Sequence, residues 1–388
     1  MLSYKIHTTK KTFAHLLEKK EQLVYNHNHK ISKEERENMK FVHIADIHFD
    51  SPFVNLSDKE NLGDIKRLEQ RKVFKKVIEY IKENDIECLF IAGDVYEQKY
   101  IRKSTIEYIN QLFSEIPNTQ IYISPGNHDP YIKNSYYNKF QWNENVHIFH
   151  SEIEKVELEN ADIYGYGFDD FYCTDCGIEN LEIENKNKIN VLVIHSTIDG
   201  ANLEEKQYNS IPKKLLEEKG FDYVATGHIH KPDYHSYSNQ KIVYPGSLIS
   251  LGFDELGEHG MIVGEIEEEN KELKLEFVPL SENNFEEKEF DVSHIISKEE
   301  LIEKINDIDI KNNQLIKLIF IGKRNFEINK YDIYKLLTND KIIKIKDYTK
   351  IEYDLEKMAN SNTLKGLFIK EILEEKRNAR RRSVGDYR

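Results

Sequence analysis

The chain has 388 residues, 39% of them apolar, and a formal net charge of -14 at pH 7. This length is enough for two or three domains, and the apolar fraction excludes a largely disordered chain. No apolar run approaches the roughly 20 residues that a membrane-spanning helix needs. Three cysteines make a poor disulfide framework, which agrees with a reducing compartment. We therefore expect a cytoplasmic protein that does not associate with a membrane.

The acidic charge argues against nucleic acid as a partner, because contacts to phosphate need positive charge. It does not exclude one. Bound divalent cations raise the local potential at an acidic site, and basic residues can cluster in a chain whose total charge is negative.

Residues 1–38 are polar, carry mixed charge and have no sustained apolar period. Met39 stands directly before the first predicted strand. Two interpretations stand side by side: translation starts at Met39 and the preceding residues are an annotation artefact, or they form a real extension.

Short apolar runs alternate with amphipathic segments after this point. Helical spacing predicts helices over 64–83 and 104–116. Strands are predicted at 40–45, 88–92, 120–124, 191–194 and 223–226. Such alternation is typical of a largely parallel sheet covered on both faces.

The remaining chain changes character several times. Residues 169–190 are acidic and irregular and predict a surface insertion, and the alternation over 241–280 predicts antiparallel strands that close a second sheet layer. A compact α+β pattern then runs from about 287 to 348, and residues 363–382 predict one helix with a basic end. The expected domains are 39–285, 286–350 and a C-terminal segment, 351–388.

Polar motifs follow the predicted strands at the edge where parallel sheets carry their chemistry. They are Asp46-Ile-His48, Gly93-Asp94, Gly126-Asn127-His128-Asp129, Ile194-His195 and Gly227-His228-Ile-His230. Singly, most are common. The ordered set is not.

Carboxylate, imidazole and amide oxygen together suit Mn, Fe or Zn better than Ca or Mg. Asp46 and His48 can point at one ion, while His228 and His230 can each serve a different one. Asp94 is expected to bridge, since a shared anion offsets the repulsion between two cations. Asn127 offers a neutral oxygen and His195 completes the second set.

The ordered motifs resemble those of the calcineurin-like metallophosphoesterases. More narrowly, Ala45-Asp-Ile-His-Phe-Asp-Ser-Pro-Phe53 and Asn362-Thr-Leu-Lys-Gly-Leu-Phe-Ile-Lys370 resemble the YhaO-type branch of the SbcD-like bacterial DNA repair exonucleases, over most of residues 40–380. The resemblance implies a four-layer α/β/β/α sandwich with a small α+β cap and a C-terminal helix.

The resemblance also implies roles for the individual residues. One metal takes Asp46, His48, Asp94 and His230, and the other takes Asp94, Asn127, His195 and His228. His128 matches the catalytic histidine, and Asp129 matches the residue that orients it. The chain departs from the family at Glu97, where G-D-x-x-D is frequent, and this position is expected not to be a ligand.

Several other features leave alternatives open. Cys173 and Cys176 have the spacing of a zinc knuckle but lack a second pair, and Asp50 and Ser51 either line a substrate groove or shape a turn. Tyr131, Tyr136 and Tyr137 either stack on bases or pack ordinarily. The basic C-terminal helix binds nucleic acid, docks on a partner through its apolar side, or is a solvated tail.

The resulting expectation is a phosphodiesterase with two divalent ions, Mn²⁺ foremost, that cleaves DNA as an exonuclease or endonuclease in DNA repair. His128 would assist the leaving group. The resemblance implies a coiled-coil SMC-like ATPase as partner, and often a homodimer. The alternatives are a phosphoesterase for small molecules or phosphoproteins, and a catalytically weak scaffold subunit of a repair complex.

Overall fold

The computed structural model describes residues 38–53, 56, 61–199, 208–232, 240–352 and 355–385. The predicted extension, apart from its last residue, lies outside these ranges. The chain forms two compact units. Of the described residues, the first unit contains those within 38–52, 65–250 and 258–281, and the second contains those within 53–64, 251–257 and 282–385.

The first unit contains a six-stranded sheet in the order β13-β12-β1-β2-β3-β4. Its strands are β1 (Asn38–Ile44), β2 (Cys88–Ile91), β3 (Gln120–Ile123), β4 (Val146–Ile148), β12 (Gly260–Glu267) and β13 (Leu273–Pro279). Strands β1 to β4 pair in parallel, as the alternating pattern predicts. The helices between them are α1 (Leu62–Glu83), α2 (Lys103–Phe113) and the short α3 (Tyr136–Lys139).

A second sheet has the order β11-β10-β7-β6-β5. Its strands are β5 (Glu154–Glu157), β6 (Ala161–Tyr166), β7 (Ile189–His195), β10 (Tyr223–Gly227) and β11 (Ile242–Val243). The short pair β8 (Thr197–Ile198) and β9 (Ser210–Ile211) and the helix α4 (Lys213–Lys219) accompany it. The predicted insertion at 169–190 contains a single 3-10 turn, Ile178–Asn180, before β7 begins.

The two sheets pack face to face through one apolar core that draws on β1, β2, β6, β7 and β10. Phe41 of β1, for example, lies with its ring centroid 4.5 Å from that of Tyr223 in β10. On the outer faces, Phe74 of α1 contacts Phe49 beside the first sheet, and Leu216 of α4 packs against Leu192 of the second. This is the expected α/β/β/α arrangement of layers.

One detail of the expected topology is wrong. The strands β12 and β13 are antiparallel, but β12 pairs with β1 and so extends the first sheet, with Val42 opposite Val263. From the stretch 241–280 only β11 joins the second sheet, through parallel pairing with β10. Strand pairing over such a sequence separation is set by the core that both strands cover, which a local alternation pattern does not encode.

The second unit has a parallel three-stranded sheet, β14-β15-β17. Its elements are β14 (Asn284–Asp291), α5 (Lys298–Asn306), β15 (Gln314–Ile321), β16 (Lys323–Arg324), α6 (Lys330–Leu336), β17 (Ile342–Asp347), β18 (Lys350–Ile351), α7 (Leu355–Ala359) and α8 (Leu364–Gly385). Helix α5 begins after the N-cap Ser297, whose side chain accepts from the N–H of Glu300, and the Glu300 carboxylate accepts from the N–H of Ile296.

Helix α8 exposes the side chains of its apolar stripe. Leu364, Leu367 and Phe368 are 88%, 63% and 64% exposed, and these positions share one helical face with Ile372. Within the described ranges, no helix combines the length and apolar character needed to cross a membrane.

His43 makes an unusual contact between the two sheets. Its side chain is fully buried on β1, and its Nδ1 atom lies 2.8 Å from the hydroxyl oxygen of Tyr223 on β10. Burial lowers the pKa of His43 to about 3, so the folded protein holds this imidazole neutral while the unfolded chain takes up a proton near pH 6.5. The contribution of the neutral, buried His43 to the stability of the fold is therefore complete above pH 6.5 and is lost as the pH falls toward 3.

We expect the substitution His43→Gln to weaken the dependence of the free energy of unfolding on pH in the acid range. Between pH 6 and 4, the free energy of unfolding of the unsubstituted protein should fall more steeply than that of the variant, by up to about 1.4 kcal/mol per pH unit. Urea titrations of both proteins at several pH values measure this difference, and other acid-sensitive groups cancel in the comparison. Parallel profiles would contradict the assignment.

Candidate metal centre

The predicted polar motifs meet at one edge of the two sheets. The side chains follow β1, β2, β3 and β10 or end β7, and parallel strands bring these ends together. Backbone pairing continues past the strands, because the N–H groups of Asp46 and His48 donate to the carbonyl oxygens of Gly93 and Asp94 at 3.1 and 2.9 Å. The loops after β1 and β2 are thereby fixed to each other.

The backbone at these positions is strained. Asp46, His48, Asp94 and His228 have φ angles of 51°, 51°, 53° and 97°, in the left-handed region that non-glycine residues rarely occupy. Such strain persists where the surrounding structure imposes it, most often at functional sites. The close approach of the His195 ring explains why residue 93 is a glycine, because a Cβ atom there would overlap that ring.

The carboxylate of Asp94 lies at the centre of the group. Its Oδ1 atom accepts from the backbone N–H of His128 at 2.8 Å. Its Oδ2 atom lies 3.7 Å from Nε2 of His48 and 3.4 Å from Nε2 of His195. One oxygen of a buried carboxylate therefore lies close to two imidazoles, as expected of a bridging ligand.

On one side of Asp94, three side chains form a compact group. Nε2 of His230 lies 3.1 Å from Nε2 of His48 and 3.8 Å from Oδ1 of Asp46. One ligand atom from each of these three residues lies within 4.8 Å of the others. They are the residues that the sequence assigns, together with Asp94, to one metal.

A second set of candidate ligands near Asp94 comprises His195, Asn127 and His228. Nε2 of His195 is 3.1 Å from Oδ1 of Asn127, and Asp46, Asp94 and His195 form a second compact group of ligand atoms. The His228 ring lies against that of His195, with centroids 5.2 Å apart. Burial and the neighbouring His195 lower the pKa of His228 to about 3, which favours the neutral imidazole that a metal ligand requires.

Hydrogen bonds at Nδ1 fix the rings of two of these histidines. Nδ1 of His195 lies 2.9 Å from the carbonyl oxygen of Ala92, and Nδ1 of His48 lies 2.8 Å from Oε1 of Glu97. Since a carbonyl and a carboxylate can only accept, Nδ1 of each ring donates a proton in these contacts, which leaves Nε2 directed at the other candidate ligands. This orientation is the usual one for a histidine ligand.

This arrangement fits a pair of divalent cations. Nε2 of His48 lies 3.7 Å from a carboxylate oxygen of Asp94 and 3.1 Å from Nε2 of His230, so several potential metal ligands converge inside a buried site. Cations shared among these atoms would satisfy them. The mixture of imidazole, carboxylate and amide ligands suits Mn, Fe or Zn.

Glu97, to which the sequence assigned no function, contacts two of the site's histidines. Its Oε1 atom accepts from His48, and its Oε2 atom lies 3.1 Å from Nδ1 of His128. Burial would raise the pKa of Glu97, but its hydrogen bonds with His128 and His48 lower it to about 2. Burial likewise opposes the charged form of His128, yet Glu97 and Asp94 raise its pKa to about 9. The spacing Gly93-Asp94-x-x-Glu97 is the feature of the sequence from which a role for Glu97 at this site could have been predicted.

The side chain of Asp129, which the resemblance implies orients His128, is held by four hydrogen bonds. It is fully buried, and its carboxylate accepts from the N–H groups of Gly126, Asp94 and Val95 and from the hydroxyl of Tyr137. These four bonds occupy the acceptor sites of the carboxylate. Asp129 thus joins the loops after β2 and β3, while Glu97 contacts the His128 ring.

Two further candidates have structural contacts. Asp50 accepts from Arg71, from Thr105 and from the N–H of Arg102, so it links α1 to the start of α2. The carbonyl oxygen of Ser51 accepts from Arg67 of α1. These contacts favour the interpretation that Asp50 and Ser51 shape the turn.

The remaining candidates lie mainly in packing positions. Tyr137 is buried, and Tyr131 lies edge-on to His150. Cys173 and Cys176 are buried free thiols, with Cys173 3.0 Å from the hydroxyl of Tyr166. Among the described residues, neither cysteine belongs to a group that could hold a metal ion.

Two curated relatives each cover more than half of the chain. "Uncharacterized metallophosphoesterase YhaO" of Bacillus subtilis is 24% identical over 277 residues, covering 69% of this chain and 66% of the relative. A component of the nuclease SbcCD from Staphylococcus saprophyticus is 28% identical over 276 residues, covering 62% and 69%. The chain thus spans about two thirds of the length of these relatives.

A solved structure, that of TT1561 from Thermus thermophilus, covers 62% of this chain and 98% of its own at 9% identity, with a TM-score of 0.37. The family model for "Calcineurin-like phosphoesterase" matches residues 39–232, half of the chain, and includes Asp46, Asp94, Asn127 and His195 as well as both histidines of the last motif. The chain therefore belongs to the calcineurin-like phosphoesterase family, whose members bind a dinuclear metal centre.

Proposed function

We propose that this metallophosphoesterase is a metal-dependent nuclease that cleaves phosphodiester bonds in DNA and acts in DNA repair. The observation that carries the proposal is that Asp94 Oδ2 lies 3.7 Å from Nε2 of His48 and 3.4 Å from Nε2 of His195, and that two groups of candidate ligands share Asp46 beside it. Two cations held about one anion suit the hydrolysis of a phosphate ester, because they neutralise charge on its oxygens.

The proposed ligands are divided between two cations that share Asp94. One cation takes Asp46, His48, Asp94 and His230, and the other takes Asp94, Asn127, His195 and His228. Mn²⁺ is the proposed metal, with Fe and Zn as alternatives that the same donor atoms would accept. When bound, the pair of cations supplies a nucleophilic hydroxide at neutral pH and stabilises charge on the phosphoryl oxygens.

The chain's own proton carrier in this reaction is His128. Its Nδ1 atom is held by Glu97, so Nε2 is the atom left to donate a proton to the leaving oxygen. The ring is partly exposed, with 44% of its side chain accessible, whereas the candidate ligands His48 and His195 are buried. A solvent-accessible imidazole beside a buried ligand cluster is suited to contact substrate and does not have to coordinate metal.

The choice of DNA rests on two relatives whose names describe them as components of the nuclease SbcCD. The second compact unit is proposed as a cap domain that positions DNA, and the segment 351–388 as a docking element. The apolar face of α8, with Leu364, Leu367 and Phe368 exposed, supports this role. A coiled-coil SMC-like ATPase is its proposed partner, and homodimer formation is proposed as well.

The first test is the substrate range of the purified protein. With Mn²⁺, we expect hydrolysis of an end-labelled linear DNA duplex, and loss of that activity with a chelator or in Asp94→Asn, since both remove the bridged cation pair. A cyclic nucleotide and an aryl phosphodiester serve as comparison substrates. Hydrolysis of the aryl compound alone would contradict the DNA assignment, and no hydrolysis by protein with two bound metal ions would contradict the catalytic one.

The second test separates His128 from the ligands. His128→Ala should keep both metal ions and lose cleavage by about 10²- to 10⁴-fold, the usual contribution of a proton donor. Metal content by elemental analysis and cleavage rate are measured on the same preparation. If metal content fell in parallel with the rate, His128 would be a ligand or a structural residue instead.

A third test concerns Glu97. Glu97→Ala should lower activity or metal affinity by about 10- to 100-fold, because neighbours that orient ligands have effects of this size. The values for Glu97→Gln should fall between those of the alanine variant and those of the unsubstituted protein. The gradation is expected since one amide oxygen can accept from only one of the two imidazoles. Titration with Mn²⁺ before the rate measurement resolves the two effects, and equal rates in all three proteins would rule out the orienting role.

A further inference from the structure

A row of aromatic rings leads from the candidate metal centre to the protein surface. The His195 ring contacts that of His228 edge-on, and His228 in turn lies 5.4 Å from Tyr208, centroid to centroid. Tyr208 lies a further 5.4 Å from Tyr172, with the two ring planes at 72°. None of the expected roles involved Tyr208 or Tyr172.

Exposure increases along this row. His195 is fully buried, Tyr208 is half-buried, and Tyr172 is 52% exposed beside Phe171 at 50%. Two neighbouring aromatic side chains exposed to this degree are an apolar surface next to a polar centre, the kind of surface that marks a binding site.

Hydrogen bonds fix the row to the strand that carries His195. The N–H of Asn209 donates to the carbonyl oxygen of Cys173 at 2.7 Å, which joins the residues next to Tyr208 and Tyr172. The amide of Asn209 also donates to the carbonyl oxygen of His195 at 3.3 Å. The rings therefore hold a set distance from the candidate ligands, as a positioning surface must.

The charges near Tyr172 indicate what the surface can accept. Asp169, Asp170 and Asp175 of the same segment are exposed carboxylates, so this face repels phosphate groups. A flat, uncharged ring can lie on the exposed aromatic side chains without a charge that the carboxylates repel. The phosphodiester to which that ring is attached would then lie at the metal centre. In a nucleic acid, that ring is a base.

We propose that Tyr172 and Tyr208 form a stacking site for a nucleobase close to the scissile phosphate. This inference rests on the proposed nuclease function and specifies where the strand lies beside the metal centre. Stacking accepts any base, because every base has an aromatic face, and the site would therefore position a strand without reading its sequence.

The test compares normal and abasic substrates. Labelled DNA strands and duplexes carry a tetrahydrofuran residue, which lacks a base, at each of the positions nearest the cut in turn. In the unsubstituted protein, the abasic residue at the stacked position should lower kcat/KM about 10-fold, within the range of a lost aromatic stack. Tyr172→Ala should show a similar loss on normal DNA and no further loss from the abasic residue.

Tyr172→Phe keeps the ring and should restore the normal values. The matched control is Tyr80→Ala, which truncates a half-buried tyrosine of α1 that lines a separate cavity with Lys40 and Glu276. It should leave both kcat/KM values unchanged. Because Tyr172 is exposed, its replacement should preserve the melting temperature and the metal content, and both are measured.

The outcomes separate the two proposals. If the abasic penalty were the same in Tyr172→Ala as in the unsubstituted protein, the stacking site would be rejected while DNA cleavage stood. An equal loss on every substrate, abasic ones included, would reject it too, because it would show a structural effect. If the unsubstituted protein cleaved no DNA, the nuclease proposal would fail and the stacking site with it.

Discussion

The architecture of the site depends on one buried carboxylate that is held between two imidazoles. A charge removed from water is costly unless hydrogen bonds or opposite charges surround it. Asp94 has both kinds of neighbour, since one oxygen accepts from the N–H of His128 and the other faces His48 and His195. Burial alone would raise the pKa of Asp94, but the charges of His195 and His48 lower it. The position of this carboxylate therefore depends on the loops after β1 and β3 and on the end of β7.

Asp129 holds the backbone of Asp94 in place through a hydrogen bond. Its carboxylate joins the N–H of Gly126 to those of Asp94 and Val95, so the loops after β2 and β3 form one hydrogen-bonded unit. Burial and the nearby charge of Asp94 raise the pKa of Asp129 to about 7. Two carboxylates at such close quarters repel each other, and this repulsion is a strain that bound cations would relieve. The loop geometry and the affinity for cations are thus two consequences of one arrangement.

The sequence predicted the parts of this structure that local patterns encode. Strands β1, β2, β3, β7 and β10 each contain a short, mostly apolar run, and a polar motif stands at or after the end of each. Strand β6 was missed because Asp162 and Gly165 interrupt its apolar pattern, although all six of its residues are buried. Gly165 is required there because the Phe149 ring lies where a Cβ atom would be. The pairing of β12 with β1 and the ring contacts of Tyr208 join distant segments, and short-range periodicity carries no information about them.

The distance between two histidine rings explains why this chain has Glu97 where family members frequently have aspartate. His48 lies in the loop after β1 and His128 in the loop after β3, and their rings meet edge-on at 4.7 Å. A carboxylate that is to accept from Nδ1 of both must reach the space beside two rings from the loop after β2. The additional methylene of glutamate provides that reach, and each of its oxygens takes one ring. Orientation of a candidate ligand and orientation of the proposed proton donor are therefore coupled through one side chain, so a change that moves Glu97 would disturb both.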